Sequence, residues 1–169
     1  RSLRVLDGVV AVFCGVGGVQ PQSETVWRQS KKFNIPKLAF INKMDRPGAD
    51  FPAVLKSMTQ RLGAAPLAIC IPSGSGETFN GIIDLLAMEH LSFDQASQGA
   101  DITRRPLNEE ENAAAQPYRE RLIEALADHS DTVLDDYLQG KPLDPVLLRR
   151  IIAAGAKQNQ WVPVFAGSA

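Results

Sequence analysis

Pro36-Lys37-Leu38-Ala39-Phe40-Ile41-Asn42-Lys43-Met44-Asp45 is the stretch on which the reading of this chain turns. An apolar run stops at Ile41, and an asparagine, a lysine and an aspartate follow within four residues. Short apolar runs bounded by turn signals mark strands buried in a parallel sheet. In open α/β sheets, ligands bind just outside the carboxyl ends of such strands. The polar group after Ile41 is therefore a candidate ligand grip. A carboxylate offers two acceptor oxygens, which match the two adjacent N–H groups on the Watson–Crick edge of guanine, a pair that adenine lacks. Asp45 is the candidate base reader. The Asn42 amide can serve the Hoogsteen edge or tie the loop together. The Lys43 stem can lie along the base plane while its ammonium stays in water.

Upstream, Val9-Val10-Ala11-Val12-Phe13-Cys14 is a second continuous apolar run, expected as a strand buried on both faces. Gly15, Gly17 and Gly18 follow as a loop. Pro21, Ser23 and Glu24 then supply helix-start signals for a helix reaching about Phe33, closed by Asn34. Strand, helix, strand is a βαβ unit with a right-handed crossover. Leu3 to Leu6 reads as the end of an earlier helix. Downstream, Pro47-Gly48 makes a turn and Asp50 caps a helix to about Leu62, with Pro52 in its first turn.

From Ala65 the pattern changes. Pro66 to Ile71 reads as one strand, Pro72 to Gly76 as a turn-rich loop, and Phe79–Asp84 with Ala87–Phe93 as a two-stranded antiparallel meander. Asp94 to Asp101 is polar and glycine-containing. Asn108 and Glu111 form a capping box ahead of a helix in which Pro117 predicts a kink or a break. Helices are expected from Asp131 to near Gly140 and from Asp144-Pro145 to about Ala156, and a last strand over Trp161 to Phe165. The distance from Asp45 to that strand far exceeds the roughly 30 residues of a single helix crossover. The expected class is α/β: a partial P-loop-NTPase-type parallel sheet with helices on both faces, carrying an inserted α+β subdomain. The division is a partial core over 1–64, an insertion over 65–160, and a last strand with its loop over 161–169.

The chain has 169 residues, a formal net charge of −1 and 44% hydrophobic residues. This is a globular composition, with no general electrostatic case for wrapping nucleic acid. No apolar run is long enough to span a bilayer, and no membrane partner is expected. Cys14 and Cys70 sit in strand-like runs and read as core thiols in a reducing, cytoplasmic setting. The chain opens without methionine and stops straight after a strand, as a piece cut from a longer protein does.

Gly167-Ser168-Ala169 supports the guanine reading from the other end. Small residues after a strand bring backbone N–H groups close to a ligand, and one aimed at the guanine carbonyl oxygen complements Asp45. Asp45-x-x-Gly48 also fits a phosphate-sensing pattern, but one side chain cannot serve base and terminal phosphate together. Gly15-Val16-Gly17-Gly18 and Gly74-Ser75-Gly76 are turns. Neither has the Gly-x-x-x-x-Gly-Lys-Ser/Thr spacing of a phosphate loop, which occurs nowhere in the chain. His90 and His129 read as structural or surface histidines. Arg104-Arg105 and Arg149-Arg150 read as solvated faces or, less favoured, a docking surface. No metal ligand set and no catalytic residue is assigned.

Arg1-Ser2-Leu3-Arg4-Val5-Leu6-Asp7-Gly8, Pro21 to Gln29, Asn42-Lys43-Met44-Asp45-Arg46, Phe79-Asn80-Gly81-Ile82-Ile83-Asp84 and Phe165-Ala166-Gly167-Ser168-Ala169 resemble the elongation factor G family of translational GTPases across essentially the whole chain. The resemblance implies that Asn42, Lys43 and Asp45 are the fourth guanine-nucleotide motif, and that Ser168 and Ala169 belong to the fifth. It implies a ribosome-dependent GTPase, a monomer that binds GTP and GDP with Mg²⁺ and drives translocation of tRNA and mRNA. The insertion would be the G-prime subdomain, in contact with the ribosomal stalk protein. The family's phosphate-binding loop, first switch, Asp-x-x-Gly and catalytic histidine have no match here and would lie before Arg1. The fragment alone is thus expected to lack GTPase activity and to bind nucleotide weakly. A release factor of the third class, a ribosome-protection protein, and a recycling or organellar paralogue share parts of the pattern. A stalk-interaction module without nucleotide binding is the reading from a different class. A dehydrogenase-like domain lacks its Gly-x-Gly-x-x-Gly signature.

Overall fold

The computed structural model describes residues 6–94, 96, 97 and 99–168. The expected helix end at Leu3 to Leu6 falls almost wholly outside them. Strand β1 (Val9–Cys14), helix α1 (Pro21–Lys32) and strand β2 (Lys37–Asn42) form the strand–helix–strand unit. β1 and β2 run parallel, in register from Val9 beside Lys37 to Cys14 beside Asn42. α1 opens on Pro21, where a missing N–H costs nothing. Asn34 turns the chain out of the helix at φ 53°, a left-handed conformation that Asn tolerates better than most residues. Helix α2 (Phe51–Leu62) starts where the Asp50 carboxylate accepts the Ala53 N–H at 2.9 Å, and ends where Gly63 adopts φ 58°.

Beyond α2 come β3 (Pro66–Ala68), β4 (Cys70–Ser73), β5 (Gly81–Asp84), β6 (Glu89–Phe93), β7 (Ile102–Pro106), α3 (Glu109–Ala127), α4 (Asp131–Leu138), α5 (Pro145–Lys157) and β8 (Val162–Ala166). They complete two four-stranded sheets among the described residues. The first has the order β1-β2-β8-β3 and is parallel throughout; the second has the order β4-β5-β6-β7 and is antiparallel. The last strand of the chain therefore lies inside the first sheet, between β2 and β3. The protein is of the α/β class, with a parallel sheet and helices packed on it.

Several expectations change. Pro66 to Ile71 is not one strand but two, one in each sheet. The divide is Ile69, whose N–H donates to the Val164 carbonyl and whose carbonyl accepts from the Leu85 N–H, each at 3.0 Å, so a single residue is bonded into both layers. The meander has four strands rather than two, because β4 and β7 flank it. Every residue of β7 is exposed, so it carries no alternation for a pattern to reveal. Pro117 does not break α3, which runs unbroken from Glu109 to Ala127. Ala113, whose carbonyl loses its partner N–H to the proline, is exposed, so water can satisfy it. α3 is held instead by Ala115, Leu122, Ile123 and Leu126, all buried.

β1 is not buried on both faces either. Phe13 is buried and meets Trp27 of α1 at 6.2 Å between ring centres, while Val10 and Val12 are 62% and 58% exposed. The register sets Val10 beside Leu38 and Phe40 beside Phe165 on that more open face. Cys70 is buried, and burial pushes its thiol up to about 12. Cys14 is only half-buried, and the Gly17 and Val16 amides lower its pKa.

Arg105 is not a freely solvated charge. Its guanidinium donates two 2.7 Å hydrogen bonds to the two carboxylate oxygens of Glu111, which also closes the capping box with Asn108. His90 is buried; its Nε2 lies 3.1 Å from Asn80 Oδ1 and 3.8 Å from Glu111 Oε1. The Arg105 guanidinium holds the Glu111 carboxyl at about 2, against its ordinary 4.5. A depressed carboxylate contributes stability above its unfolded pKa, which is lost as pH falls towards the folded one. Burial also depresses His90, whose contribution is lost as pH falls below 6.5. Glu111→Gln should therefore flatten the fall of the urea midpoint between pH 4.5 and 2. Parallel losses in wild type and variant would show that the pair does not govern acid stability.

Candidate functional site: the corner where β2 and β8 end

β2 and β8 are neighbours, with Ala39 beside Val164, Phe40 beside Phe165 and Ile41 beside Ala166. Their carboxyl ends therefore open at the same edge, and the two loops suspected from the sequence meet there. The Gly167 N–H donates to the Ile41 carbonyl at 3.0 Å, and the Met44 N–H donates back to the Gly167 carbonyl at 3.1 Å. Ser168 Oγ then donates to Asp45 Oδ1 at 2.5 Å. That bond is the largest cause lowering the Asp45 pKa, and the Lys43 and Arg46 charges add to it. Asp45 is exposed and ionised at neutral pH. A carboxylate has about four lone-pair sites, so the Ser168 bond fixes its orientation and leaves acceptors for two more donors.

Asn42 shows the loop-tying role open to it: its Oδ1 accepts the Lys43 N–H at 2.8 Å. This bond supports Lys43 in a left-handed conformation at φ 64°, which most side chains avoid. The Arg46 N–H donates to the Lys43 carbonyl at 3.2 Å and closes the turn. The Asn42 carbonyl accepts the Gly15 N–H at 2.8 Å, and the Gly15 carbonyl accepts the Asp50 N–H at 3.0 Å. The loop after β1 thus buttresses the loop after β2. Lys43 and Asp45 both stand exposed at the rim. Ala169 lies outside the described residues.

The residue that pattern reading passed over is Met44, the variable position of Asn-Lys-x-Asp. It is fully buried. A side chain on Gly15 would bring its Cβ within 2.8 Å of the Met44 sulfur, so Gly15 is there for want of room. Beside the corner, a cavity of about 660 Å³ runs from Asp45 and Ser168 to Phe40, Phe79 and Phe165. Chemically, the corner presents an oriented carboxylate, a lysine stem and small residues that let a ligand approach the backbone.

The whole chain, residues 1–169, matches the elongation factor Tu GTP binding domain family. It is 46% identical over 169 residues to elongation factor G 2 of Geobacter metallireducens, covering all of this chain and 25% of that protein. It is 46% identical over 169 residues to elongation factor G of Ehrlichia canis, covering 24% of that protein. The chain therefore spans about a quarter of the length of these relatives. A crystal structure of a Thermus thermophilus protein superposes with a TM-score of 0.81, over 99% of this chain and 24% of that one, at 22% identity. That likeness is one of fold. Together with a parallel sheet that brings the two expected loops to one edge, the match over every residue means that this chain belongs to the elongation factor Tu GTP-binding domain family.

Proposed function

We propose that this corner reads the guanine of GTP and GDP through Asn42, Lys43, Asp45, Ser168 and Ala169. The observation that carries the reading is the Ser168–Asp45 hydrogen bond of 2.5 Å, which joins side chains 123 positions apart. It orients a carboxylate whose two oxygens suit both N–H groups of guanine. On this reading the chain is part of a ribosome-dependent GTPase of the elongation factor G type, a cytoplasmic monomer that promotes translocation of tRNA and mRNA. The names of its relatives support that role, which belongs to a protein about four times as long. Within the expected insertion 65–160, β3 belongs to the parallel sheet, and the part that follows it would be the G-prime subdomain, facing the stalk protein of the large ribosomal subunit. The departure from the parallel sheet after β3 and the return at β8 support an inserted unit. Exposed Leu134, Tyr137 and Leu138 on α4 offer it an apolar contact.

Nothing in the chain matches a phosphate-binding loop, and the residues at the corner do not suit Mg²⁺: Asp45 is committed to the base, and no hydroxyl of a phosphate loop accompanies it. No hydrolytic step is assigned to this chain. The missing phosphate loop also favours a second reading, a stalk-binding module that does not hold nucleotide. Titrating the chain with GDP and, separately, with the stalk protein distinguishes the two. We expect stalk binding, weak GDP binding perturbing Lys43 to Asp45, and no GTP turnover. Stalk binding with no response to GDP supports the module, and steady GTP turnover overturns the account of the chain as half a site.

A further inference from the structure

The Gly74-Ser75-Gly76 turn between β4 and β5 reaches the base-reading loop. The Ser75 N–H donates to Thr78 Oγ1 at 3.1 Å, and the Thr78 hydroxyl donates to the Ser75 carbonyl at 2.8 Å. Gly74 sits at φ 75°, and a Cβ there would lie 2.2 Å from the Thr78 carbonyl oxygen, so the turn closes only without a side chain. Closed in this way, it points the Gly76 N–H at the Met44 carbonyl, 2.8 Å away. Met44 is thus held from three directions. Its N–H is bonded to Gly167 after β8, its carbonyl to Gly76 from the antiparallel sheet, and its side chain packs against Gly15 after β1. Lys43 and Asp45 are its immediate neighbours.

We propose that the Gly74–Thr78 turn is a positioning element for guanine recognition: through the Gly76–Met44 bond, the antiparallel sheet sets where the Asp45 carboxylate stands. The proposal rests on the reading of Asp45 as the base reader. A hydrogen bond weakens steeply once geometry slips, and recognition sites need their groups held to roughly 0.5 Å. Asp45 can take the guanine N1–H with some latitude, but taking the 2-amino group as well requires the loop to be fixed. The turn therefore acts on the preference for guanosine over inosine, which lacks the 2-amino group, more than on affinity for both. By linkage, guanosine in turn tightens the Gly76–Met44 bond.

The test uses the isotope-labelled 169-residue chain, titrated with guanosine and with inosine while amide shifts and hydrogen exchange are followed. Wild type should prefer guanosine by about fivefold. Thr78→Val, which removes the hydroxyl at nearly constant volume, should bring that preference below about twofold and speed exchange at Gly76 about tenfold, with β2 and β8 amides unchanged. Thr78→Ser keeps the hydroxyl and should restore both. In wild type alone, saturating guanosine should slow exchange at Gly76 more than inosine does, a measurement that needs no variant to fold. If Thr78→Val accelerates Gly76 exchange yet keeps the guanosine preference, or if guanosine leaves Gly76 exchange untouched, the turn does not position the loop and the proposal is overturned. If wild type shows no preference for guanosine, the base reading itself fails, and the proposal fails with it.

Discussion

Asp45→Asn should turn the corner from guanine towards xanthine. The carboxylate presents acceptors only, and guanine answers with the N1–H and the 2-amino group. An amide presents one acceptor and one donor, and xanthine answers with the N1–H and a carbonyl at position 2. The guanosine-to-xanthosine preference should fall by on the order of tenfold to hundredfold, the discrimination carried by a bidentate contact. Ser168 shapes the result. Its hydroxyl donates to Asp45 Oδ1 and can donate equally to the amide oxygen that the substitution leaves there. That choice turns the amide so that its NH₂ faces the base. Competition between the two nucleosides, followed at the backbone amides of positions 43 and 45, checks the prediction. A variant that loses guanosine without gaining xanthosine would place the discrimination elsewhere.

The second large effect is on stability, at Gly155. Inside a helix, Gly→Ala ordinarily stabilises by about 1 kcal/mol. Here a Cβ would lie 2.1 Å from Trp161 Cζ2 and 2.3 Å from Cε2, far inside contact distance. The ring cannot swing aside: it is buried, its Nε1–H donates to the Ile152 carbonyl at 2.9 Å, and His129 stands edge-on at 5.0 Å. Gly155→Ala should therefore reverse the usual sign and destabilise by about 1–3 kcal/mol, as overpacking does. Trp161→Phe should be less costly in the Gly155→Ala background than alone, since the two sites share one space. Urea midpoints of the four proteins give the coupling. A neutral or stabilising Gly155→Ala would mean that α5 does not lie on Trp161 as described. The packing bears on function because Trp161 leads directly into β8, the strand that delivers Ser168 to Asp45.

What the sequence disclosed follows from which features act locally. Val9–Cys14, Lys37–Asn42, the Asp50 cap and the Asn108–Glu111 capping box are each written in a few adjacent residues, and each is found where local rules put it. Asp45 and Ser168 could be paired in advance because a parallel sheet sends both strand ends to one edge. The misses depended on partners far away in sequence. Nothing within Pro66 to Ile71 marks Ile69 as the point where one layer hands over to the other; the marks are Val164 and Leu85. β7 is a polar edge strand visible only through its pairing with β6. Pro117 breaks a local rule without breaking the helix, because α3 is fixed by its buried face. Met44 occupies the position that the motif leaves open. Its role comes from Gly15, Gly76 and Gly167, three glycines in three separate loops.

The most direct test of the central claim is a comparison of guanosine with adenosine on the isotope-labelled chain, reading amide shifts together with the side-chain carboxylate carbon of Asp45. Shifts at Lys43, Asp45, Gly167 and Ser168 and at the Asp45 carboxylate, produced by guanosine and not by adenosine, are what an oriented guanine-reading carboxylate predicts. Equal responses to the two nucleosides, or guanosine shifts that leave the Asp45 carboxylate unmoved, would contradict it.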